Sequence, residues 1–517
     1  MSERRLRLPA RVVRELREAL LRDDEQERFA FVDAGTAAPP AGAGAGEGEA
    51  ESEAPSERPD LLASEVVPVP DERLARQSRT ACRPEPAVER DHVGDCYDRQ
   101  LAPVLVHSHP FSDDPRFSSI DVEAMGRFRE WLTGLFPDRP FGFAVVGQSG
   151  IEAVANAGER FAALPVEVVG EWKLDEPVPG AVDRFAPVDA GGRGASVGDA
   201  PVADGSEGDR AGTDDADTDT DIDATERFDR NVRALGADGQ RRLQDATVGI
   251  VGVGGIGSQV AEQFARLGVG ELVLVDPDTV EPSNLPRLVG AYDHHVGKPK
   301  VDAVREHAWR SAPADLDVTA VAEPVEAVPA RLTDCDLVVG CVDRVTARSF
   351  CNEWAVKHLT YYVDAGVRID TTDDRVVGMT GYVHLVAPGS TACFDCLGRH
   401  DQAAARIERL SPDEREAELE RGYIDTEQVA PEPAVIHLNG LCASKAVSVG
   451  TDVVTGVKTP PDFVRYEDTA HEMTALTTEP SPACPTCGDE GVLGVGRRSF
   501  GDAQFTPEDG PETATSD

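Results

Sequence analysis

A glycine-rich turn between an apolar strand and a helix is the feature that most constrains the fold of this chain. Residues Thr247–Val251 predict a buried strand, and a helical pattern of apolar residues follows the turn. The turn contains Gly252, Gly254, Gly255 and Gly257. Glycines let the backbone approach a phosphate, and the free N–H groups of the helix N-terminus bind the anion. The sequence therefore predicts an α/β fold with a Rossmann-like, doubly wound parallel sheet after residue 226.

A second strand, Glu271–Val275, ends at Asp276, where an acidic residue of this fold binds a ribose. This pattern alone is shared with NAD-binding dehydrogenases. The polar and charged residues that follow favour a different nucleotide enzyme: they are Asp278, Asn284, Arg287 and Lys300. Cations in such a cluster neutralise the negative charge that develops when the α-phosphate of ATP is attacked.

A further apolar strand, Asp336–Val342, ends at Asp343. A carboxylate at the C-terminal edge of a strand suits magnesium, which binds one or two carboxylates together with phosphate oxygens. The simpler interpretation is that Asp343 caps the helix that begins near Val345.

These motifs resemble the ThiF/MoeB family of ATP-dependent activating enzymes, which are related to the ubiquitin-activating enzyme. The resemblance spans residues 226–500 and implies that ATP is bound by the glycine turn, Asp276 and the charged residues after it. It also implies that Asp343 holds the magnesium ion and that Arg230 reaches the nucleotide of the other protomer in a homodimer. The implied catalytic residues are Arg230, Arg287, Lys300 and Asp343.

Two Cys-x-x-Cys pairs predict a metal site in the same module. They are Cys393 with Cys396 and Cys484 with Cys487. Four thiolates complete a tetrahedral zinc site and leave no open position, so this zinc is expected to be structural. Residues 401–434, where ubiquitin-activating enzymes carry a thioester-forming cysteine, contain no cysteine. Cys442 lies in an apolar helical pattern, and buried thiols are poor nucleophiles, so the chemistry is expected to stop at an acyl-adenylate.

A histidine pair predicts a second metal site near the N-terminus. His107 and His109 follow a predicted strand, and side chains at i and i+2 of a strand point to the same side. With the carboxylate of Asp121 they form a three-ligand zinc site that keeps a position for water and lowers the pKa of that water.

This set resembles the JAMM (JAB, MPN-plus) metalloprotease family, although one more residue than usual separates His109 from Asp121. The resemblance implies that Ser118 stabilises the oxyanion, with Ser119 as the alternative because of the extra residue, and that an upstream glutamate is the general base. Glu27 fits the expected helix–glutamate–strand context, and Glu65 is the alternative.

Low-complexity segments divide the chain. Residues 37–60 and the acidic linker 190–225 hold too few large apolar residues to form a core and are expected to be disordered. The predicted domains are a JAMM-like zinc hydrolase over 1–189 and a ThiF/MoeB-like adenylating domain over 226–500, joined by a flexible tether. Residues 501–517 form an acidic tail.

The charge balance excludes some partners. The chain has 51 Lys+Arg against 94 Asp+Glu, a net charge of −43, which argues against binding nucleic acid or an anionic membrane. Such a composition suits a halophilic protein, because concentrated salt screens the repulsion. No apolar run reaches the roughly 18 residues of a membrane span, and the N-terminus has no signal-peptide pattern. Since paired cysteines suggest metal in a reducing compartment, we expect a cytoplasmic location.

Both resemblances imply one substrate class. The expected function is ATP-dependent adenylation of the C-terminal glycine carboxylate of a ubiquitin-like or sulfur-carrier protein ending in Gly-Gly, together with a zinc-dependent peptidase or isopeptidase acting at the same end. The cofactors would be ATP, magnesium, one structural zinc and one catalytic zinc. The alternative is an adenylating enzyme for a small or nucleotide-borne carboxylic acid, with a degenerate or accessory hydrolase domain.

Overall fold

A computed structural model of the chain describes residues 4–37, 60–174 and 224–496, apart from short gaps at 113–114, 138, 149, 158–159, 313–315, 373–374 and 426–432. The predicted insert 37–60 (except its two end residues), most of the acidic linker and the C-terminal tail lie outside the described residues. Among the described helices, none is long and apolar enough to cross a bilayer.

The first module, residues 4–174, is built on a mixed eight-stranded sheet. Its strands are β1 (Leu6–Pro9), β2 (Phe29–Thr36), β3 (Leu61–Pro68), β6 (Ala102–His109), β7 (Gly142–Gly147), β8 (Ile151–Ala157), β9 (Arg160–Ala163) and β10 (Val166–Val169), with a separate hairpin of β4 (Leu74–Ser78) and β5 (Ala81–Pro84). The sheet order is β10-β1-β3-β2-β6-β7-β8-β9. The helices are α1 (Ala10–Leu20), α2 (Pro86–Asp98) and α3 (Ser119–Leu135).

Alternating side chains of β2 divide between two apolar cores. Ala30 and Val32 face the cluster that contains α1, whereas Phe29 and Phe31 face the cluster that contains α2 and α3. Because successive side chains of a strand point to opposite faces, a strand covered on both faces is apolar throughout. β2 therefore lies in the centre of the sheet, next to the strand that ends at His109.

The second module, residues 224–496, carries another eight-stranded sheet. Its strands are β11 (Thr247–Val251), β12 (Glu271–Val275), β13 (Asp317–Val321), β14 (Leu337–Gly340), β15 (Tyr361–Thr372), β16 (Arg375–Val386), β17 (Phe463–Glu467) and β18 (Glu472–Leu476). Its helices are α4 (Ala224–Arg227), α5 (Asp229–Asp245), α6 (Gly257–Leu267), α7 (Lys300–Ser311), α8 (Val345–His358), α9 (Gln402–Arg409), α10 (Pro412–Arg421) and α11 (Ile436–Thr455).

This second sheet is only partly the parallel sheet that the sequence predicts. The order is β13-β12-β11-β14-β15-β16-β17-β18. The five strands at one side of the sheet, β13, β12, β11, β14 and β15, pair parallel. The strands from β15 through β16 and β17 to β18 pair antiparallel. Short connections join β15 to β16 and β17 to β18, because antiparallel neighbours need only a short turn, whereas α9, α10 and α11 lie between β16 and β17. The prediction of a parallel Rossmann-like half is confirmed, and the extension of that parallel order to the whole sheet is wrong.

The two modules pack against each other, which the expected flexible tether did not anticipate. The Lys173 ammonium donates to Asp462 Oδ2 at 2.6 Å, and both side chains are largely buried. The Gly170 amide donates to the Tyr361 hydroxyl at 3.0 Å, and the Gly35 amide donates to the Gly494 carbonyl at 3.2 Å. The two modules therefore share a packed interface.

Replacing Lys173 by alanine should loosen this interface. Asp462 would keep a buried charge without its cation, and breaking such a pair costs about 2 kcal/mol or more once partial exposure is allowed for. We expect the Gly170 amide to exchange its hydrogen roughly 30-fold faster, since about 1.4 kcal/mol is a factor of ten. Lys357→Ala is the matched control, because Lys357 pairs with Glu353 inside one helix. Equal exchange in both variants would contradict the role of the ion pair.

Candidate active sites

The glycine turn forms one wall of a pocket at the carboxyl ends of β11, β12 and β14. Gly252 has φ +84°, a left-handed conformation that favours glycine. A Cβ on Gly257 would overlap the Gly252 carbonyl oxygen, so these two glycines allow α6 to begin directly behind the strand. β11 lies between β12 and β14, and this point of the sheet is where open α/β folds bind ligands.

Most of the residues that the sequence predicted for nucleotide binding line this pocket. They are Gly252, Gly254, Gly255, Asp276, Asp278, Arg287, Lys300 and Asp343. Three predicted residues are not part of the lining. Gly257 lies in the first turn of α6, and Asn284 is buried and accepts from the Glu281 amide at 3.1 Å. Arg230 is exposed on α5, so its expected role depends on a second protomer.

The carboxylates on one side of the pocket are fixed by backbone and lysine donors. Asp276 Oδ2 accepts from the Val253 amide at 2.8 Å, and its Oδ1 accepts from the Asp278 amide at 2.9 Å. Burial raises the pKa of Asp276. The Lys300 ammonium donates to Asp278 Oδ2 at 2.7 Å, which holds this cation at the pocket wall. Two carboxylates therefore shape the turn and position Lys300.

Asp343 is exposed, lines the same pocket and does not cap the helix that follows it. The N-cap residue of α8 is Arg344, whose side chain makes no capping hydrogen bond. The cap comes instead from Glu408 on α9, whose carboxylate accepts from the Val345 and Thr346 amides at 2.8 and 2.9 Å. The helix-cap interpretation of Asp343 is wrong. Glu408 was missed because a contact between residues 63 apart leaves no local sequence pattern.

The two Cys-x-x-Cys pairs converge on one site. Cys393 Sγ lies 3.8 Å from Cys396 Sγ and 3.5 Å from Cys484 Sγ, and Cys396 Sγ lies 3.3 Å from Cys487 Sγ. Sulfurs bound tetrahedrally at about 2.3 Å from zinc lie about 3.8 Å apart, so this set fits the metal. The Ser481 amide also donates to Cys396 Sγ at 3.3 Å, which stabilises a thiolate.

The remaining cysteines of this module are poor nucleophiles. Cys335 and Cys351 are core residues, and Cys442 is buried in α11, where burial raises the pKa of its thiol to about 12. Cys341 is half-buried at the pocket wall, and burial raises the pKa of its thiol as well. That the chemistry stops at an acyl-adenylate stays a prediction.

The predicted histidine site is brought together in the first module. His107 Nε2 lies 3.2 Å from His109 Nε2, and the two rings lie 3.3 and 3.5 Å from the Asp121 carboxylate oxygens. Burial opposes ionisation of Asp121, but hydrogen bonds from both histidines lower its pKa well below the usual range. Two nitrogens and a carboxylate within this distance can bind one zinc ion.

Glu27, not Glu65, lies beside the histidines. Glu27 Oε1 is 3.8 Å from His109 Nε2, and burial raises the pKa of Glu27 to about 7. The Arg28 amide donates to Ser108 Oγ at 2.9 Å, which fixes the start of β2 against the histidine strand. Glu65 lies on β3, where its carboxylate pairs with Arg99 at 3.4 Å.

Ser118 has a structural task at this site. It is the N-cap of α3, where its Oγ accepts from the Asp121 amide at 3.3 Å and its own amide donates to Asp121 Oδ2 at 2.6 Å. Sequence reasoning missed Glu152 on β8, whose Oε2 accepts from the Phe117 amide at 2.8 Å. Together these contacts fix the loop that presents Asp121 to the histidines.

Known proteins resemble the second module. The family described as "ThiF family" matches this chain over residues 228–486. Over 178 residues the chain is 39% identical to the molybdopterin-synthase adenylyltransferase of Escherichia coli (strain K12), which covers 34% of this chain and 68% of that protein. Over 268 residues it is 28% identical to the sulfur carrier protein ThiS adenylyltransferase of the same strain, covering 51% and 94%.

A plant relative matches a shorter region. Ubiquitin-like modifier-activating enzyme 5 of Oryza sativa subsp. japonica is 34% identical over 173 residues, which are 31% of this chain and 39% of that protein. The chain therefore spans about two fifths of the length of this relative. The matched region of the family, residues 228–486, makes up half of the chain and contains the glycine-turn pocket. The chain belongs to the ThiF family.

Proposed function

We propose that the second module adenylates the C-terminal glycine carboxylate of a ubiquitin-like or sulfur-carrier protein that ends in Gly-Gly. The observation that carries this proposal is the pocket, which the glycine turn before α6, Lys300, Arg287 and Asp343 line together in a chain of the ThiF family. The names of two relatives support the substrate class, because they describe an activating enzyme of a ubiquitin-like modifier and an adenylyltransferase of a sulfur carrier protein.

In this reaction a carboxylate oxygen attacks the α-phosphorus of ATP, the bond to the β-phosphate breaks, and pyrophosphate leaves. The glycine-turn amides and the N-terminus of α6 would hold the phosphates. Lys300 and Arg287 would neutralise the charge that develops on them, and Asp343 would hold magnesium. Because its surroundings raise the pKa of the Cys341 thiol at the pocket wall and Cys442 is buried, the product of this module would be the acyl-adenylate. Homodimerisation, with Arg230 reaching the other protomer, is part of the proposal.

We further propose that the first module hydrolyses an amide or isopeptide bond at the same kind of carboxyl end. His107, His109 and Asp121 would hold zinc, which supplies Lewis acidity and lowers the pKa of a bound water to about 7. Glu27, whose pKa is near that value, would accept a proton from the attacking water and donate it to the leaving amine. Ser118 would assist the oxyanion in addition to orienting Asp121.

The four-cysteine site would hold a second, structural zinc. We expect metal analysis to find two zinc ions per chain. Asp121→Ala should lower the count to about one without unfolding the chain, because only the three-ligand site loses a donor. His437→Ala, which removes an exposed histidine outside both ligand sets, should leave two ions. One zinc per chain in the unaltered protein would contradict the hydrolase proposal.

The test of the adenylation proposal is exchange of labelled pyrophosphate into ATP in the presence of carrier proteins that end in Gly-Gly. We expect exchange with at least one carrier and none when its terminal glycine is removed. Mass spectrometry should then detect the carrier adenylate. Exchange with small carboxylic acids and with no carrier would favour the alternative substrate class.

A further inference from the structure

We propose that Glu408 is a positioning residue for Asp343, and that α9 therefore belongs to the metal–nucleotide site. The inference rests on the proposed function, in which Asp343 holds magnesium. It adds a residue that lies outside the pocket and reaches it through the N-terminus of α8.

The contacts of Glu408 converge on the first turn of α8. Its Oε1 accepts from the Val345 amide at 2.8 Å, and its Oε2 accepts from the Thr346 amide at 2.9 Å and from the Thr346 hydroxyl at 2.6 Å. The Arg344 guanidinium lies 3.9 Å from the same carboxylate. One side chain therefore satisfies three donors at the point where the pocket loop becomes a helix.

A helix N-terminus needs such a partner. The first N–H groups of an α-helix have no acceptor within the helix, and a carboxylate there is favoured by the helix dipole. Residue 344 supplies no side-chain cap. Asp343 lies only two residues before the first amide that Glu408 holds, so the position of the Asp343 backbone follows the position of that turn.

Contacts other than those of Glu408 hold α9 in place. Asp401 caps α9 by accepting from the Ala403 and Ala404 amides, and Ile407 is buried beside Glu408. Just before α9, His400 Nδ1 lies 2.7 Å from the Ser349 hydroxyl on α8. The pair of helices thus meets at two polar points, and any movement of α9 away from α8 would release the turn that carries Asp343.

A cap with only a structural task would change stability and leave metal binding alone. Loss of a positioning residue weakens the effect of magnesium on ATP binding, because the Asp343 carboxylate then no longer occupies its place. The discriminating quantity is therefore the ratio of the ATP dissociation constants without and with magnesium, measured by calorimetry on the full chain. It requires no carrier protein.

We expect Asp343→Ala to remove the magnesium enhancement and Glu408→Ala to reduce it at least fivefold, with zinc content and circular dichroism unchanged. Glu408→Gln should keep an intermediate enhancement, because its amide oxygen can still accept from one of the amides. Glu414→Ala is the control, since Glu414 caps its own helix through Ser411 and should keep the full enhancement.

An unaltered enhancement in Glu408→Ala, with Asp343→Ala deficient, would overturn the inference and leave the proposed function intact. An unaltered enhancement in Asp343→Ala would overturn both, since Asp343 would then not hold the metal. If Glu408→Ala does not fold, Glu408→Gln decides the matter: an enhancement equal to that of the unaltered chain would count against the positioning role.

Discussion

Replacing Glu27 by glutamine should lower the rate of amide hydrolysis by about 1,000-fold while the chain keeps two zinc ions. General acid–base catalysis contributes about 100- to 10,000-fold, and glutamine cannot accept the proton of the attacking water. Zinc should remain because Glu27 lies 3.8 Å from His109 and outside the three-ligand set. The measurement is release of an amine from a peptide or carrier fusion that is joined after Gly-Gly, with zinc counted in the same samples.

Glu65→Gln is the matched control for this variant. Glu65 pairs with Arg99, the residue that ends α2, so its loss should leave hydrolysis within about twofold of the unaltered rate. Full activity in Glu27→Gln would show that the base is another group. Loss of activity in Glu65→Gln alone would restore the alternative that the sequence left open.

The histidine site could be predicted because its two histidines are close together in the sequence. Two side chains at i and i+2 of a strand must share a side, and β6 delivers His107 and His109 in that way. The partner carboxylate was also near in sequence, at the start of α3. Glu27 was harder to select, because its position depends on β2 pairing with β6, where Phe29 lies opposite His107. Such strand pairing joins residues that are far apart in the chain.

The glycine turn was predictable for the same local reason, whereas the interface between the modules was not. Conformational freedom at Gly252 and the strand and helix on either side of it can be recognised within a dozen residues. The buried pair of Lys173 and Asp462 joins residues that lie 289 positions apart in the chain. The contact between Gly35 and Gly494 joins residues that are still farther apart. Neither has a sequence signal, because the two partners of each contact lie in different modules.

The antiparallel half of the second sheet shows a further limit of pattern reasoning. β15 and β16 each run for 12 residues, and both are apolar enough to pass for buried parallel strands. The two residues between Thr372 and Arg375 are too few for a crossover connection, so the strands pair antiparallel, from Tyr362 opposite Val386 to Thr372 opposite Arg375. Periodicity fixes which face a residue occupies, but it does not fix the direction of the neighbouring strand.

Lys300→Ala should reduce carrier-dependent pyrophosphate exchange by about 100- to 1,000-fold. Removing one group that stabilises transition-state charge in an enclosed site has an effect of this size. Lys300 suits that task because its side chain is 13% exposed and is held at the pocket wall by Asp278. Lys300→Arg should retain part of the activity, since it keeps the charge but not the compact ammonium.

Lys298→Ala is the control that separates this site effect from a general loss of charge. Lys298 is exposed, lies two residues from Lys300 and does not line the pocket. Its replacement by alanine removes the same formal charge from the chain as Lys300→Ala does. In a protein with a net charge of −43, a cation that acted only through the overall field would be equally important at either position. Equal loss of exchange in the two variants would therefore contradict a local role for Lys300. A loss confined to Lys300→Ala is expected, because phosphate charge is neutralised at contact distance and salt screens the rest of the field.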